Sequence, residues 1–154
     1  MPASTPSYVK NIIRRSLREI VDPSPSKEAE RTIWEYFNSE CAYCGKKLRK
    51  EHREGHIDHL VPDDTNQLCN RVLSCADCNG DEKRDKPWKE FLAQKCSSEQ
   101  IEAERKSKIL QWQSTHEAPV LGKGVLSKIE SLANDVAARY DEILEQARRL
   151  RNKK

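Results

Sequence analysis

Residues 41–44 read CAYC, and residues 56–79 read HIDHLVPDDTNQLCNRVLSCADCN. Together they hold two Cys-x-x-Cys pairs, Cys41 with Cys44 and Cys75 with Cys78. The fold turns on what those pairs do. Two residues between cysteines form a turn tight enough to aim both sulfurs at one ion. Two such pairs supply four thiolates, which suit a structural Zn(II) and leave no open position for a substrate water. Disulfides are the other use of such cysteines. No apolar run approaches the roughly 18 residues of a membrane span. The N-terminal MPASTPSYVKNIIRRSLREIV has no uninterrupted apolar stretch of signal-peptide type. A cytoplasmic location with reduced thiols is therefore expected, and zinc is favoured over disulfides. Cys69 and Cys96 fall outside the pairs and read as small buried residues.

The rest of the chain is lean. Of 154 residues, 36% are apolar and 34% charged, a composition that asks for help from a metal or from self-association. The net charge of +3 fits a nucleic-acid partner without arguing for one, because local clustering decides.

Apolar spacing predicts a helix over residues 7–21, through Tyr8, Ile12, Ile13, Leu17 and Ile20. DPSPS at 22–26 ends it, and a second helix runs to about Asn38 with Ile33, Trp34 and Phe37 as its apolar face. Residues 41–61 read as a turn and two short strands, followed by a loop from Pro62. A helix starts within NGDEKRD and another around WKEFLAQK. Ser97 with Gln100 has the spacing of a capping box opening a helix to about Thr115, with a break at Pro119. In the last segment, 125–150, apolar residues stand at 125, 129, 132, 136, 140, 143, 147 and 150, close to a coiled-coil seam. That helix either lies on the body of the domain or joins two copies as a homodimer.

A plain zinc ribbon separates its cysteine pairs by about 15–20 residues. Here the longer stretch 45–74 lies between them and contains Asp58, His59 and Asn70, with Asn79 directly after Cys78. This pattern resembles the HNH endonucleases of the ββα-metal type, in the subgroup framed by two Cys-x-x-Cys pairs. In that family an acidic residue or His precedes a general-base His, followed by a central Asn and a closing His or Asn. The resemblance covers about residues 41–86. It implies a small ββα-metal core with a four-cysteine zinc site; with the helices read from apolar spacing at both ends, the expected fold is α+β, that core flanked by N- and C-terminal α-helices. The chain is expected to divide into a helical segment 1–40, a zinc-framed nuclease core 41–92 and a helical segment 93–154, whose helix 125–150 is the candidate for dimerisation.

The chemistry accounts for these residue types. A neutral imidazole takes a proton from water near neutral pH. A hard divalent ion on Asp and Asn oxygens neutralises phosphate charge and helps the leaving oxygen depart. By resemblance, His59 is the general base, Asp58 and Asn79 hold Mg(II) or Mn(II), and Asn70 orients the loop. Many members of that family carry a Lys three residues after the closing Asn. Glu82 stands there here, so the phosphate role lies with Lys83 or Arg84. One geometric difficulty follows from the strand period: Asp58 and His59 are adjacent and so point to opposite faces of a regular strand.

The partner implied is DNA, double-stranded foremost. Lys46, Lys47, Arg49 and Lys50 form a candidate basic edge for its phosphates, and Lys10, Arg14, Arg15 and Arg18 a second patch. The rival reading is a non-catalytic zinc-ribbon module for nucleic acid or protein. It explains the cysteines and the basic edge but not Asp58-His59 with Asn70 and Asn79 at their offsets.

Overall fold

The computed structural model describes residues 5–62, 65–116 and 124–151. The chain forms two compact units, one of Ser24–Ala118 and one of Met1–Pro23 with Pro119–Lys154.

Helix α1 (Pro6–Val21) belongs to the second of these units, and α2 (Lys27–Tyr36) opens the first. The Ser26 hydroxyl caps α2 by accepting from the Ala29 N–H at 3.2 Å, and Glu28 and Glu30 in its first turn suit the positive end of the helix dipole. Its inner face buries Ile33 and Trp34, and Phe37 follows. The chain reverses through Asn38 and Ser39, both left-handed, and Glu40 bridges to Lys47. The knuckle turn ends on Gly45 at φ 74°. A Cβ there would collide with Nη2 of Arg105, so position 45 excludes a side chain twice over.

Strands β1 (Gly55–His59) and β2 (Arg71–Cys75) make a two-stranded antiparallel sheet. Asp58 lies opposite Val72, and His59 opposite Arg71. Only one of the two strands expected within 41–61 forms. Before β1 the chain makes the bridge at Lys47 and a 3-10 turn, Lys50–His52. The reason is local. Glu54 folds back to accept from the Arg49 backbone N–H at 2.8 Å and from its guanidinium at 2.6 Å, and Arg53 is left-handed, so the segment closes on itself.

After β2 comes a short helical turn whose Cys78–Glu82 part winds as a π-helix. Helix α3 (Trp88–Lys95) buries Trp88, Phe91 and Leu92. Helix α4 (Glu99–Thr115) starts one residue later than the capping-box spacing suggests: the Ser98 hydroxyl, not that of Ser97, accepts from the Ile101 N–H. Trp112 of α4 is fully buried between Tyr36 and Phe37 and donates its indole N–H to the Leu68 carbonyl at 2.8 Å. A few large rings thus fill a core that aliphatic residues alone are too scarce to fill. Each buried side chain of this size contributes about 1.5–3 kcal/mol.

In the other unit α1 pairs with α5 (Val125–Arg151). Lys10 meets Asp141 at 3.0 Å and Arg14 donates to Asn134 at 3.3 Å. Two cations of the second basic patch are therefore taken up by helix pairing, and Arg18 pairs with buried Asp22. The residues α5 buries are Ala133 and Ala137, small enough for close approach of two helices. The expected seam splits accordingly. Leu132, Val136, Ile143 and Leu150 stay exposed, while Ile129 and Tyr140 are half-buried. The break expected at Pro119 lies outside the described residues. No described helix is long and apolar enough to cross a membrane.

Candidate active site

The four knuckle cysteines converge: their sulfurs all lie within 4.8 Å of one another. Cys44 and Cys75 are 3.8 Å apart, which is the sulfur–sulfur edge, about 3.8 Å, of a tetrahedron with Zn–S bonds of about 2.3 Å. Among the described residues no other group of His, Cys, Asp and Glu has ligand geometry. The thiols compete for protons in this space. Cys41 is drawn down to about 4 by the hydrogen bond from Cys78. Cys78 is pushed far above the thiol range by the same bond and by burial, and burial pushes Cys44 up to about 11. A single divalent cation relieves that conflict by stabilising all four thiolates at once. The donor set and its dimensions fit zinc. Cys69 and Cys96 are half-buried and lie outside the cluster.

The strand emerging beside this cluster is regular through His59, so Asp58 and His59 do point to opposite faces. Asp58 is buried on the face that meets Tyr43 and Lys83, while His59 pairs with Arg71 and Asn66 on the other. On the first face, the Tyr43 hydroxyl donates to Oδ2 of Asp58 at 3.0 Å. The Lys83 ammonium lies 3.1 Å from the same oxygen. Tyr43 sits between Cys41 and Cys44, so the zinc turn reaches the carboxylate through one side chain. The other Asp58 oxygen takes no hydrogen bond from the described residues. His56, two residues earlier on that face, is exposed.

On the second face the Arg71 guanidinium lies 3.1 Å from Nδ1 of His59, and Nε2 lies 3.1 Å from Oδ1 of Asn66. A guanidinium only donates, so Nδ1 accepts and carries no proton. Asn66 receives a second hydrogen bond from Arg71 on the same oxygen, which fixes that atom as the carbonyl and makes Nε2–H its donor. The ring is therefore held as the Nε2–H tautomer, with its basic lone pair on Nδ1. Arg71 and Asn66 are the site residues that sequence reasoning missed. Arg71 is brought to His59 by strand register, which no local motif announces.

Asn70 is buried and spans the loop after β1. Its carbonyl accepts from the Val61 N–H at 2.8 Å, and its amide donates to the carbonyls of Val61 at 3.0 Å and Thr65 at 2.9 Å. Asn79 is half-buried, and its side-chain amide has no hydrogen-bond partner among the described residues. Lys83 points inward and is 2% exposed, away from any substrate phosphate at the surface; Arg84, left-handed at φ 46°, is exposed. The basic edge faces solvent but is locally balanced. Lys46 lies 3.8 Å from Asp77, Lys47 2.9 Å from Glu40 and Arg49 2.6 Å from Glu54, and Lys50 covers the Trp34 ring.

A sheet of two antiparallel strands followed by a helical turn, closed by four cysteines, defines a small ββα-metal core. Residues 41–85 match the family described as HNH endonuclease, and this segment, similar to HNH endonuclease domains, carries a cysteine cluster like that of the two-knuckle subgroup. It occupies less than a third of the chain. Neither the curated proteins nor the solved structures compared with the chain give a match.

Proposed function

We propose that the protein is a zinc-stabilised endonuclease that hydrolyses phosphodiester bonds of DNA, double-stranded DNA foremost, in a reducing cytoplasmic setting. The observation that carries this reading is His59. Within the HNH segment its ring is fixed in one tautomer by two partners, at the end of a strand whose preceding residue is a buried carboxylate.

His59 Nδ1 takes a proton from water as the water oxygen bonds to phosphorus. The bond from phosphorus to the leaving sugar oxygen breaks, and that oxygen keeps the electron pair and takes a proton from solvent. For this Arg71 leaves Nδ1, and the substrate phosphate offers the guanidinium a two-point anionic partner in exchange. Asn70 holds the loop beside the base. Arg84 and the exposed Lys46, Lys47, Arg49 and Lys50 supply sequence-independent phosphate contacts. The oxygen donors left at Asp58 and Asn79 fit a hard divalent ion, Mg(II) or Mn(II). When bound, such an ion supplies charge neutralisation at the phosphate and at the leaving oxygen.

The test is cleavage of supercoiled plasmid by zinc-loaded protein, with and without Mg(II) or Mn(II), beside His59→Ala. Nicking or linearisation that needs both the added ion and His59 is expected. Binding to DNA with no cleavage under any ion would instead support the non-catalytic zinc module.

A further inference from the structure

The lysine that sequence reasoning assigned to substrate phosphate has another occupation. We infer that Lys83 is a built-in cation of the site, which holds Asp58 in the protein without its divalent ion and competes with that ion for the carboxylate. This deepens the nuclease reading and rests on it for Asp58 as the carboxylate that binds the ion.

The ammonium finds two oxygen partners and an aromatic neighbour within the protein. Nζ lies 3.1 Å from Oδ2 of Asp58, donates to the His59 carbonyl at 2.5 Å, and stands 5.8 Å from the centre of the Tyr43 ring. The side chain is 2% exposed. A surface lysine reaching for DNA would keep its ammonium in water. This one has been taken out of water and given a carboxylate, a carbonyl and an aromatic face.

The winding of the chain explains how it gets there. The π-turn Cys78–Glu82 is wider than an α-turn, and such turns shift which following side chain faces inward. Glu82 stays exposed and pairs with Lys95, while Lys83 is carried onto Asp58. The ammonium therefore ties both residues of the Asp58–His59 step: it holds the carboxylate of one and the backbone carbonyl of the other.

A second cation arriving at Asp58 meets this first one across a single carboxylate. Like charges that share one anion at such range repel strongly where water is excluded. The Asp58 carboxylate that would hold the ion is therefore already neutralised. An ion arriving there either displaces Lys83 or binds against its charge.

The experiment is Mn(II) binding to the zinc-loaded full chain, read from the electron paramagnetic resonance of free Mn(II), for wild type, Lys83→Met, Lys83→Arg and the double variant Asp58→Asn with Lys83→Met. Lys83→Met is expected to bind Mn(II) about 10- to 100-fold more tightly than wild type, the range seen when groups behind metal ligands are changed. Lys83→Arg should stay near wild type, and the double variant should lose the gain. Lys83→Met binding no tighter than wild type overturns the inference. Because that variant strands a buried carboxylate and can fail to fold, a Mg(II) titration of the wild type followed by the Lys83 side-chain nitrogen signal gives a second reading. The signal should move as the site fills; a fixed signal at saturating Mg(II) overturns the inference equally. The plasmid assay is independent of both. Cleavage with unaltered Mn(II) affinity in Lys83→Met removes the inference and leaves the nuclease, whereas tighter Mn(II) binding without cleavage in any variant does the reverse.

Discussion

The buried amide of Asn70 spans three backbone groups and holds the loop beside His59. Asn70→Ala leaves those groups without their partner, and a lost partner to a buried polar group costs about 1–3 kcal/mol. Denaturant unfolding of the zinc-loaded protein should show a loss in that range. His59 offers a second check: its nitrogen chemical shifts should report Nε2–H with an unprotonated Nδ1, and Arg71→Ala should blur that preference. Tyr43 gives a pH signature. Burial, and then the Asp58 carboxylate, hold its hydroxyl proton well above the ordinary tyrosine range. The folded value exceeds the unfolded one, so this stabilisation is whole below about pH 10 and fades as pH rises further. Urea midpoints should fall as pH climbs from about 9 to about 11, and fall less in Tyr43→Phe. At this scale the sequence was a partial guide. The opposite facing of Asp58 and His59 follows from the strand period alone. Arg71 and Asn66 do not, because cross-strand register and loop closure bring them in. The inward turn of Lys83 depends on one π-turn that no propensity signals.

Among the elements, the helices were the most legible, since their apolar spacing and Ser caps are local. The ends of α4 and α5 and the start of α1 lie within a residue or so of their expected places. The stretch before β1 was the least legible. It reads as a strand, but the Arg49–Glu54 clasp and left-handed Arg53 close it into a turn. The knuckle turn is equally exacting. Gly45→Ala forces a side chain into a left-handed position beside the Arg105 guanidinium. It should cost about 1–2 kcal/mol from backbone conformation alone, with more from displacement of Arg105, which otherwise donates to the Tyr43 carbonyl at 2.8 Å. Thermal unfolding of the zinc-loaded variant measures the loss.

For the molecule as a whole, the lean composition pointed to external support, and the four-sulfur cluster inside Ser24–Ala118 has the geometry to supply it. The division into units was hidden from the sequence because α1 and α5, its most distant helices, form one of them. All three tryptophans, Trp34, Trp88 and Trp112, lie in the unit with the cysteines. Demonstrated removal of zinc should therefore abolish the near-UV circular dichroism of the tryptophans while helical far-UV signal from α5 persists in part; an intact near-UV spectrum would count against metal-coupled folding. The tyrosine between the first two knuckle cysteines carries a further consequence for pharmacology. Cys44 is the one sulfur of the four that is not buried, so among the ligand cysteines it is the one a thiol-reactive compound can reach. Alkylation there loosens the turn that aims Tyr43 at Asp58. A covalent ligand attached there would act on the Asp58 face of the sheet, opposite the face that carries His59.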